Sequence, residues 1–296
     1  MAVIPMRTLT HLDLFSGIGG FSIAAEWAGY KTIGFCEIDP SPSSVLAHHW
    51  PNVTNFKDIK KLCLRAYDCE TNPEDTEFVW CNRCDCNFGD CECIGTDAFI
   101  DEHGSPDLIT GGVPCQPASL IGAQRGTSDE RWLWPDTTRV MRELMPRFAV
   151  FENPPAILTL ESGRAWNGVV SGLAALGYDC WWEVLPASAI GAGHQRERLF
   201  LVCADSNRPR LEGHAGNEDG GMAAQSVRST CPKDVQPITY QAAQWSSAEP
   251  DLRPTADGLP SRLVEAALRC VGNSVVPQVA FEILHAIRSV EESQSI

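Results

Sequence analysis

The chain has 296 residues, of which 44% are hydrophobic and 21% charged, close to the globular average, which excludes a wholly disordered chain or a coiled coil. No stretch approaches the roughly 20 uninterrupted apolar residues of a membrane helix, and Met1–Thr10 lacks the basic-then-apolar layout of a secretion signal, so the expectation is a cytoplasmic protein without a membrane partner. The net charge of −15, taken alone, argues against a nucleic-acid partner.

The acid is unevenly spread. Residues 60–102 carry eleven carboxylates against four basic side chains, so a local basic cleft elsewhere stays compatible with the total. At roughly 100–200 residues per domain, the length suits one large domain, or a large one with a small one. Thirteen cysteines in a chain with no export signal read as thiols, metal ligands or a nucleophile.

Thr8–Phe15 reads as a short buried strand. Ser16-Gly17-Ile18-Gly19-Gly20 follows, and then an apolar-periodic helix over Phe21–Ala28, ended by Gly29. Thr32–Glu37 predicts a second strand, and Pro40–Trp50 a helix capped near Ser41 or Ser43. Further strands are predicted at Leu108–Thr110, Phe148–Phe151, Trp181–Leu185 and Arg198–Cys203, with helices over Trp134–Met145 and Gly163–Leu176 between them. Leu263–Leu268 and Val276–Ile287 read as helices that return to the main body. This alternation predicts an α/β fold with a mostly parallel sheet covered by helices on both faces. Two segments break the pattern: acidic, Cys-rich Cys63–Cys93, and Ala204–Pro250, rich in Gly, Ser, Asn, Pro and Gln.

Four constellations carry chemistry. The glycines of Asp13–Phe21 permit positive φ and close approach of a ligand to a helix N-terminus. Glu37, at the end of the next strand, stands where a doubly wound fold hydrogen-bonds a ribose, and Asp58 is placed to hold an adenine amine. Together they favour a nucleoside-containing cofactor over a purely structural turn. Cys115 follows a buried strand on a loop bounded by Gly111-Gly112 and stiffened by Pro114 and Pro117. A buried structural cysteine needs neither the prolines nor the strand end, so a nucleophile is preferred. Glu152, at another strand end, suits a general acid or a hydrogen-bonding reader of substrate rather than a solvated carboxylate, because Phe148–Phe151 leads into it. Arg196 and Arg198 alternate along a strand and share a face; they suit a phosphate, a carboxylate or a polarised carbonyl, with a structural ion pair as the alternative.

These motifs, with Gly272-Asn273-Ser274-Val275-Val276-Pro277, occur in the order and context of DNA cytosine-5 methyltransferases. The chain resembles that family over residues 10–60, 105–203 and 251–290. The resemblance implies a Rossmann-like S-adenosylmethionine-dependent methyltransferase fold over residues 1–203, with a Cys-rich insertion at 61–104. A short target-recognition region at 204–250 and a C-terminal return at 251–296 complete it. Phe15, Gly17, Gly19, Glu37, Asp58, Ile59 and Pro114 would line the S-adenosylmethionine pocket, with Asn273 and Ser274 closing it. Cys115 would attack C6 of a flipped cytosine, Glu152 would hold its N3 and N4 edge, and Arg198 would contact O2 with Arg196 in support. The implied partner is double-stranded DNA and the implied state a monomer, serving restriction–modification, host modification or phage self-protection. His194, Ala118 and Pro154 depart from the family's usual Gln, bulky aromatic and small aliphatic residue. Arg253 and Asp257–Arg262 resemble the segment that follows the recognition region, which leaves base contacts to about Asn207–Trp245.

The insertion has no place in that pattern. Cys81-x2-Cys84-x-Cys86-x4-Cys91-x-Cys93 puts five thiols in thirteen residues, which suits a tetrahedral zinc site on Cys81, Cys84, Cys91 and Cys93 with Cys86 as alternate. Cys63 and Cys69 are further candidates, and a cluster of unligated thiols is the alternative. An RNA cytosine-5 methyltransferase, or a catalytically silent nucleic-acid- or cofactor-binding protein on the same fold, are the competing functions.

Overall fold

The computed structural model describes residues 7–63, 69–71, 79–81, 86–87, 94–95, 103–115, 127, 129, 131–192, 195–207, 270 and 274–293, with backbone alone for the short strands between 63 and 95. The body is a seven-stranded sheet. Its parallel part is β1 (Leu9–Leu14), β2 (Tyr30–Cys36), β3 (Thr54–Asn55), β9 (Leu108–Gly112) and β10 (Phe148–Asn153). With β11 (Tyr178–Pro186) and β12 (Glu197–Asp205), the order is β11-β12-β10-β9-β1-β2-β3. The insertion contributes β4 (Leu62–Cys63) paired with β8 (Ile94–Gly95), and a small antiparallel sheet of β5 (Cys69–Thr71), β6 (Val79–Cys81) and β7 (Cys86–Asn87).

Helices cover both faces. α1 (Gly20–Trp27) and the C-terminal α5 (Pro277–Ser293) pack together on one side, where Phe21, Ala24, Val279, Ala280 and Leu284 meet Leu108, Phe148 and Val150. On the other, α3 (Trp134–Leu144) and α4 (Arg164–Ala175) bring Val140, Met141, Val169 and Leu173 against Leu12, Ala149 and Phe151. β10 shows why its sequence is a continuous apolar run: Phe148 and Val150 point to one face, Ala149 and Phe151 to the other, and all four are buried. α2 (Pro40–His49) lies outside the sheet edge and buries Leu46.

The strands at the sequence-predicted positions are all present; β1 is a residue shorter at each end, β2 starts two residues earlier and ends one earlier, and the other four are longer by two to four residues. Three details differ. β12 runs antiparallel to both neighbours, because a hairpin rather than a helical crossover joins it to β11. α2 is capped by Asp39, whose carboxylate accepts the Ser41 amide at 2.9 Å, not by Ser41 or Ser43. The helix expected over Val276–Ile287 continues to Ser293. The helix expected over Leu263–Leu268 lies outside the described residues.

Candidate active site

All five parallel strands end at one edge of the sheet, and their C-terminal ends line a single cavity of about 720 Å³. Doubly wound sheets bind ligands in this position, because the loops leaving adjacent strands part there. β12 reaches the same edge by its beginning rather than its end, which explains how Arg198 comes to lie beside the C-terminus of β10.

One wall is built from β1, β2 and the turn after β3. Phe15, Gly17, Glu37, Asp58 and Ile59 line it. Gly17 and Gly19 both have left-handed backbones, with φ of 54° and 88°. A Cβ on Gly17 would meet nothing within 4 Å, so the turn leaves open space above it; one on Gly19 would lie 2.6 Å from the Trp50 ring. Gly19 thus fits its helix cap only without a side chain. It does not line the cavity.

Glu37 joins two backbone segments. Its Oε2 accepts the Gly17 amide at 2.8 Å and its Oε1 the Asp39 amide at 2.7 Å. Burial pushes its carboxyl above the usual glutamate range, and those two amide bonds pull the other way. Asp58 caps the 3-10 turn at Ile59–Lys61 through its carboxylate, accepting the Lys60 amide at 3.0 Å. Ile38, two-thirds exposed despite its apolar side chain, stands between these acids on the cavity wall. Two carboxylates, an exposed apolar side chain and an open glycine turn fit a cationic nucleoside: hydroxyl and amine donors for the acids, and a ring face for Ile38. The residues present therefore suit S-adenosylmethionine.

The same cavity is also lined by Pro114, Cys115, Glu152 and Arg198. Cys115 is buried and packs into the central core cluster. Arg198 Nε lies 2.7 Å from Glu152 Oε1. Burial raises the Glu152 carboxyl above its ordinary range, opposed by the Arg198 and Arg196 charges. Cys115, Glu152 and Arg198 therefore share one cavity with the Glu37 and Asp58 wall. Arg196 is not on that cavity. Its Nη2 donates to the Ser274 carbonyl at 2.7 Å, tying the start of β12 to the segment that leads into α5. Burial, then the Arg198 charge, lower its pKa.

Ser274 follows from this contact and also crowds Gly20 of α1, where a Cβ would lie 2.9 Å from its Oγ. Asn273, Gln116, Pro117, Ala118 and His194 lie outside the described residues. So do the side chains of the proposed zinc ligands Cys81, Cys84, Cys86, Cys91 and Cys93; among the described residues no cluster of three or more His, Cys, Asp or Glu is placed to hold a metal. Sequence reasoning missed Ile38, Pro42, Lys57 and Arg131, which also line the cavity. Ile38 had a usable signal, its place directly after Glu37; Pro42 is brought in by the first turn of α2, and Lys57 and Arg131 by loop geometry. Among the described residues no helix is long and apolar enough to cross a membrane.

Comparison with known proteins identifies a family. The model of the C-5 cytosine-specific DNA methylase family matches residues 9–70 and 65–226. The Type II methyltransferase M.HgiCII of Herpetosiphon aurantiacus is 28% identical over 198 residues, covering 67% of this chain and 37% of that protein. The Type II methyltransferase M.AplI of Arthrospira platensis is 29% identical over 239 residues, covering 80% of this chain and 58% of its own. A crystal structure described as a DNA modification methyltransferase encoded within an E. coli prophage superposes with a TM-score of 0.48 at 25% identity, over 68% of this chain and 47% of that one. The chain thus spans well under two thirds of the length of these relatives.

Proposed function

Since this chain belongs to the C-5 cytosine-specific DNA methylase family, we propose that it transfers a methyl group to C5 of a cytosine extruded from double-stranded DNA. The observation that carries the reading is that Cys115, Glu152 and Arg198 line the same cavity as Glu37 and Asp58. A thiol, a buried acid and a guanidinium thus share it with a pair of carboxylates suited to a nucleoside. Bound S-adenosylmethionine, held by Glu37, Asp58, Ile38 and the Gly17 turn, supplies an electrophilic methyl carbon.

C5 of cytosine is a poor nucleophile. Addition of the Cys115 thiolate forms an Sγ–C6 bond and makes C5 enamine-like. Glu152 holds a proton toward N3 and accepts from the N4 amine, which stabilises that adduct, and its raised carboxyl pKa suits the donor role. Arg198 moves from Glu152 to O2. Once C5 carries the methyl group, a water takes the C5 proton, the released electron pair forms the C5–C6 double bond as Sγ leaves as the thiolate, and N3 returns its proton to Glu152. The base reaches Cys115 only after leaving the duplex. Arg196 acts from outside the cavity, through Ser274.

Duplex DNA containing 5-fluorocytosine tests this directly, because C5 then has no proton to lose. The expected result is a cofactor-dependent covalent complex with the wild type and none with Cys115→Ser. An equal adduct with Cys115→Ser overturns the assignment. Labelled methyl transfer to duplex DNA and not to tRNA separates this reading from an RNA enzyme, and no transfer to either leaves a silent binding protein. Bisulfite sequencing of DNA from expressing cells reports the target.

The further parts of the reading are a monomer acting on cytoplasmic DNA, a recognition region at 204–250, and structural zinc in the insertion. The zinc assignment is supported by thiol spacing alone. Four thiolates leave no open position for chemistry, so the role is to order an acidic segment poor in apolar residues. Elemental analysis of chelator-free protein is expected to give about one zinc per chain; a content near zero removes the assignment.

A further inference from the structure

The carboxylates of Glu37 and Asp58 can read one cofactor only if two separate segments are held in fixed relation. Those segments are the end of β2 and the turn after β3. One side chain bridges them. Asn55 is the last residue of β3, paired in register with Phe35. Its Oδ1 accepts the Glu37 amide at 3.0 Å and the Lys57 amide at 2.9 Å. Its Nδ2 donates to the Glu37 carbonyl at 3.2 Å and to Ser43 Oγ at 3.1 Å.

A carboxamide has two acceptor lone pairs and two donor hydrogens, so all four of its bonds are used. The orientation is also fixed. Exchanging the oxygen and nitrogen would set an NH2 group against two amide N–H donors and an oxygen against the Glu37 carbonyl. With Glu37 the amide makes the two-point exchange of a β-ladder, extending the pairing of β2 and β3 past the last strand residue.

The bond to the Lys57 amide explains a strained backbone. Lys57 is not glycine, yet its φ is 62°, a conformation that persists only where surrounding bonds impose it. The Asn55 oxygen holds its N–H, and Cys36 Sγ donates to its carbonyl at 3.1 Å. This turn brings Lys57 and Asp58 to the wall that Glu37 lines. Asn55 itself does not line the cavity.

We propose that Asn55 is a positioning residue of the cofactor site. It sets the Glu37 and Asp58 carboxylates at the spacing a bound S-adenosylmethionine requires, by pairing with the Glu37 backbone and imposing the left-handed turn at Lys57. The inference rests on reading the cavity as an S-adenosylmethionine site.

The test is a calorimetric titration of the full chain with S-adenosylmethionine and with S-adenosylhomocysteine, together with kcat at saturating cofactor. Asn55→Leu removes all four bonds. It is expected to weaken both affinities ten-fold or more while kcat at saturation stays within three-fold. Asn55→Asp keeps the two acceptors and loses the two donors, and is expected to fall between. Adding Lys57→Gly to Asn55→Leu is expected to restore at least three-fold of the lost affinity, since glycine takes the turn unaided; general damage to the fold would not be repaired by a glycine.

Cofactor affinity within two-fold of wild type in Asn55→Leu overturns the proposal. If that variant does not fold, the same result in Asn55→Asp does so. A kcat that falls as far as affinity, with no recovery from Lys57→Gly, also overturns it. A wild type that binds neither ligand sinks the reading of the cavity, and this proposal with it. A wild type that binds, with unaffected variants, removes the role of Asn55 alone.

Discussion

At the scale of single residues, the telling contact is that of Glu152 with Arg198. Burial favours the neutral carboxylic acid, while the guanidinium 2.7 Å away favours the carboxylate. The balance leaves the carboxyl above its usual range, so a proton is available for N3 of the base. Arg198→Met removes the opposing charge and leaves the burial. Two effects are expected. The rate falls by about 10²-fold, because a donor to the developing charge is lost. The basic limb of the pH–rate profile moves up, because Glu152 stays protonated over a wider range. Glu152→Gln is expected to lower single-turnover methylation far more than DNA affinity, since it acts on the extruded base. Stopped-flow single-turnover rates between pH 6 and 9 check both; a basic limb that moves down in Arg198→Met contradicts the assigned proton.

At the scale of an element, β1 holds two buried titratable groups with opposite consequences. Thr32 Oγ1 lies 3.0 Å from His11 Nδ1, and His11 Nε2 lies 2.8 Å from Thr110 Oγ1. Thr110 then donates to Asp13 Oδ1 at 3.0 Å, and Ser22 donates to Asp13 Oδ2 at 2.6 Å. The hydroxyl of Thr110 is committed to Asp13, so it accepts from His11, whose proton is then on Nε2. Burial lowers His11 to about 3 and raises Asp13 to about 7. For His11 the folded pKa lies below the unfolded one, so its contribution is present above about pH 6.5 and lost as pH falls toward 3. For Asp13 the folded pKa lies above the unfolded one, so its contribution is present below about 3.8 and lost as pH rises through 7. The two slopes oppose each other in the wild type. Asp13→Asn is expected to leave stability that rises with pH between 4 and 6.5, and His11→Gln stability that falls between 4 and 7. Urea unfolding at pH 4.5, 5.5, 6.5 and 7.5 reads both slopes, and parallel curves for the two variants contradict the assignment.

The same strand shows what a sequence can and cannot disclose. The alternation of buried strand and amphipathic helix was legible, because each element's core-facing pattern is local. So was the position of Cys115, Glu152 and Arg198 near strand ends. The function of His11 and Asp13 was not, because their partner Thr110 is about a hundred residues away in the chain. Arg196 and Arg198 looked equivalent by strand alternation. They part because one meets Glu152 and the other a carbonyl of the C-terminal segment. The left-handed turns at Phe15 and Lys57 carry no glycine to announce them; tertiary hydrogen bonds impose the second.

At the scale of the molecule, the net charge of −15 has to be reconciled with the DNA substrate proposed above. Much of the acid sits between residues 60 and 102, in the insertion. The cavity, by contrast, is lined by four cations, Lys57, Lys60, Arg131 and Arg198, against four carboxylates, Glu37, Asp39, Asp58 and Glu152, so its formal charge is balanced. Arg131 is braced by Asp129, whose oxygens accept from its Nε at 2.8 Å and its Nη2 at 2.7 Å, yet about half of the Arg131 side chain stays exposed. A braced, exposed guanidinium at the cavity suits a phosphate better than a base edge. If about three such cations neutralise phosphates, duplex affinity falls roughly 40-fold between 50 and 200 mM salt, following the counterion-release slope of about −0.9 per phosphate. Arg131→Gln is then expected to weaken binding to all duplexes alike and to reduce the slope by about one. Cofactor affinity should not change, because the Glu37 and Asp58 wall is built from other strands. Fluorescence anisotropy at four salt concentrations, with specific and random duplexes, measures the slope. A salt-independent affinity would remove phosphate anchoring altogether, and an Arg131→Gln slope equal to wild type would assign the anchoring to residues other than Arg131.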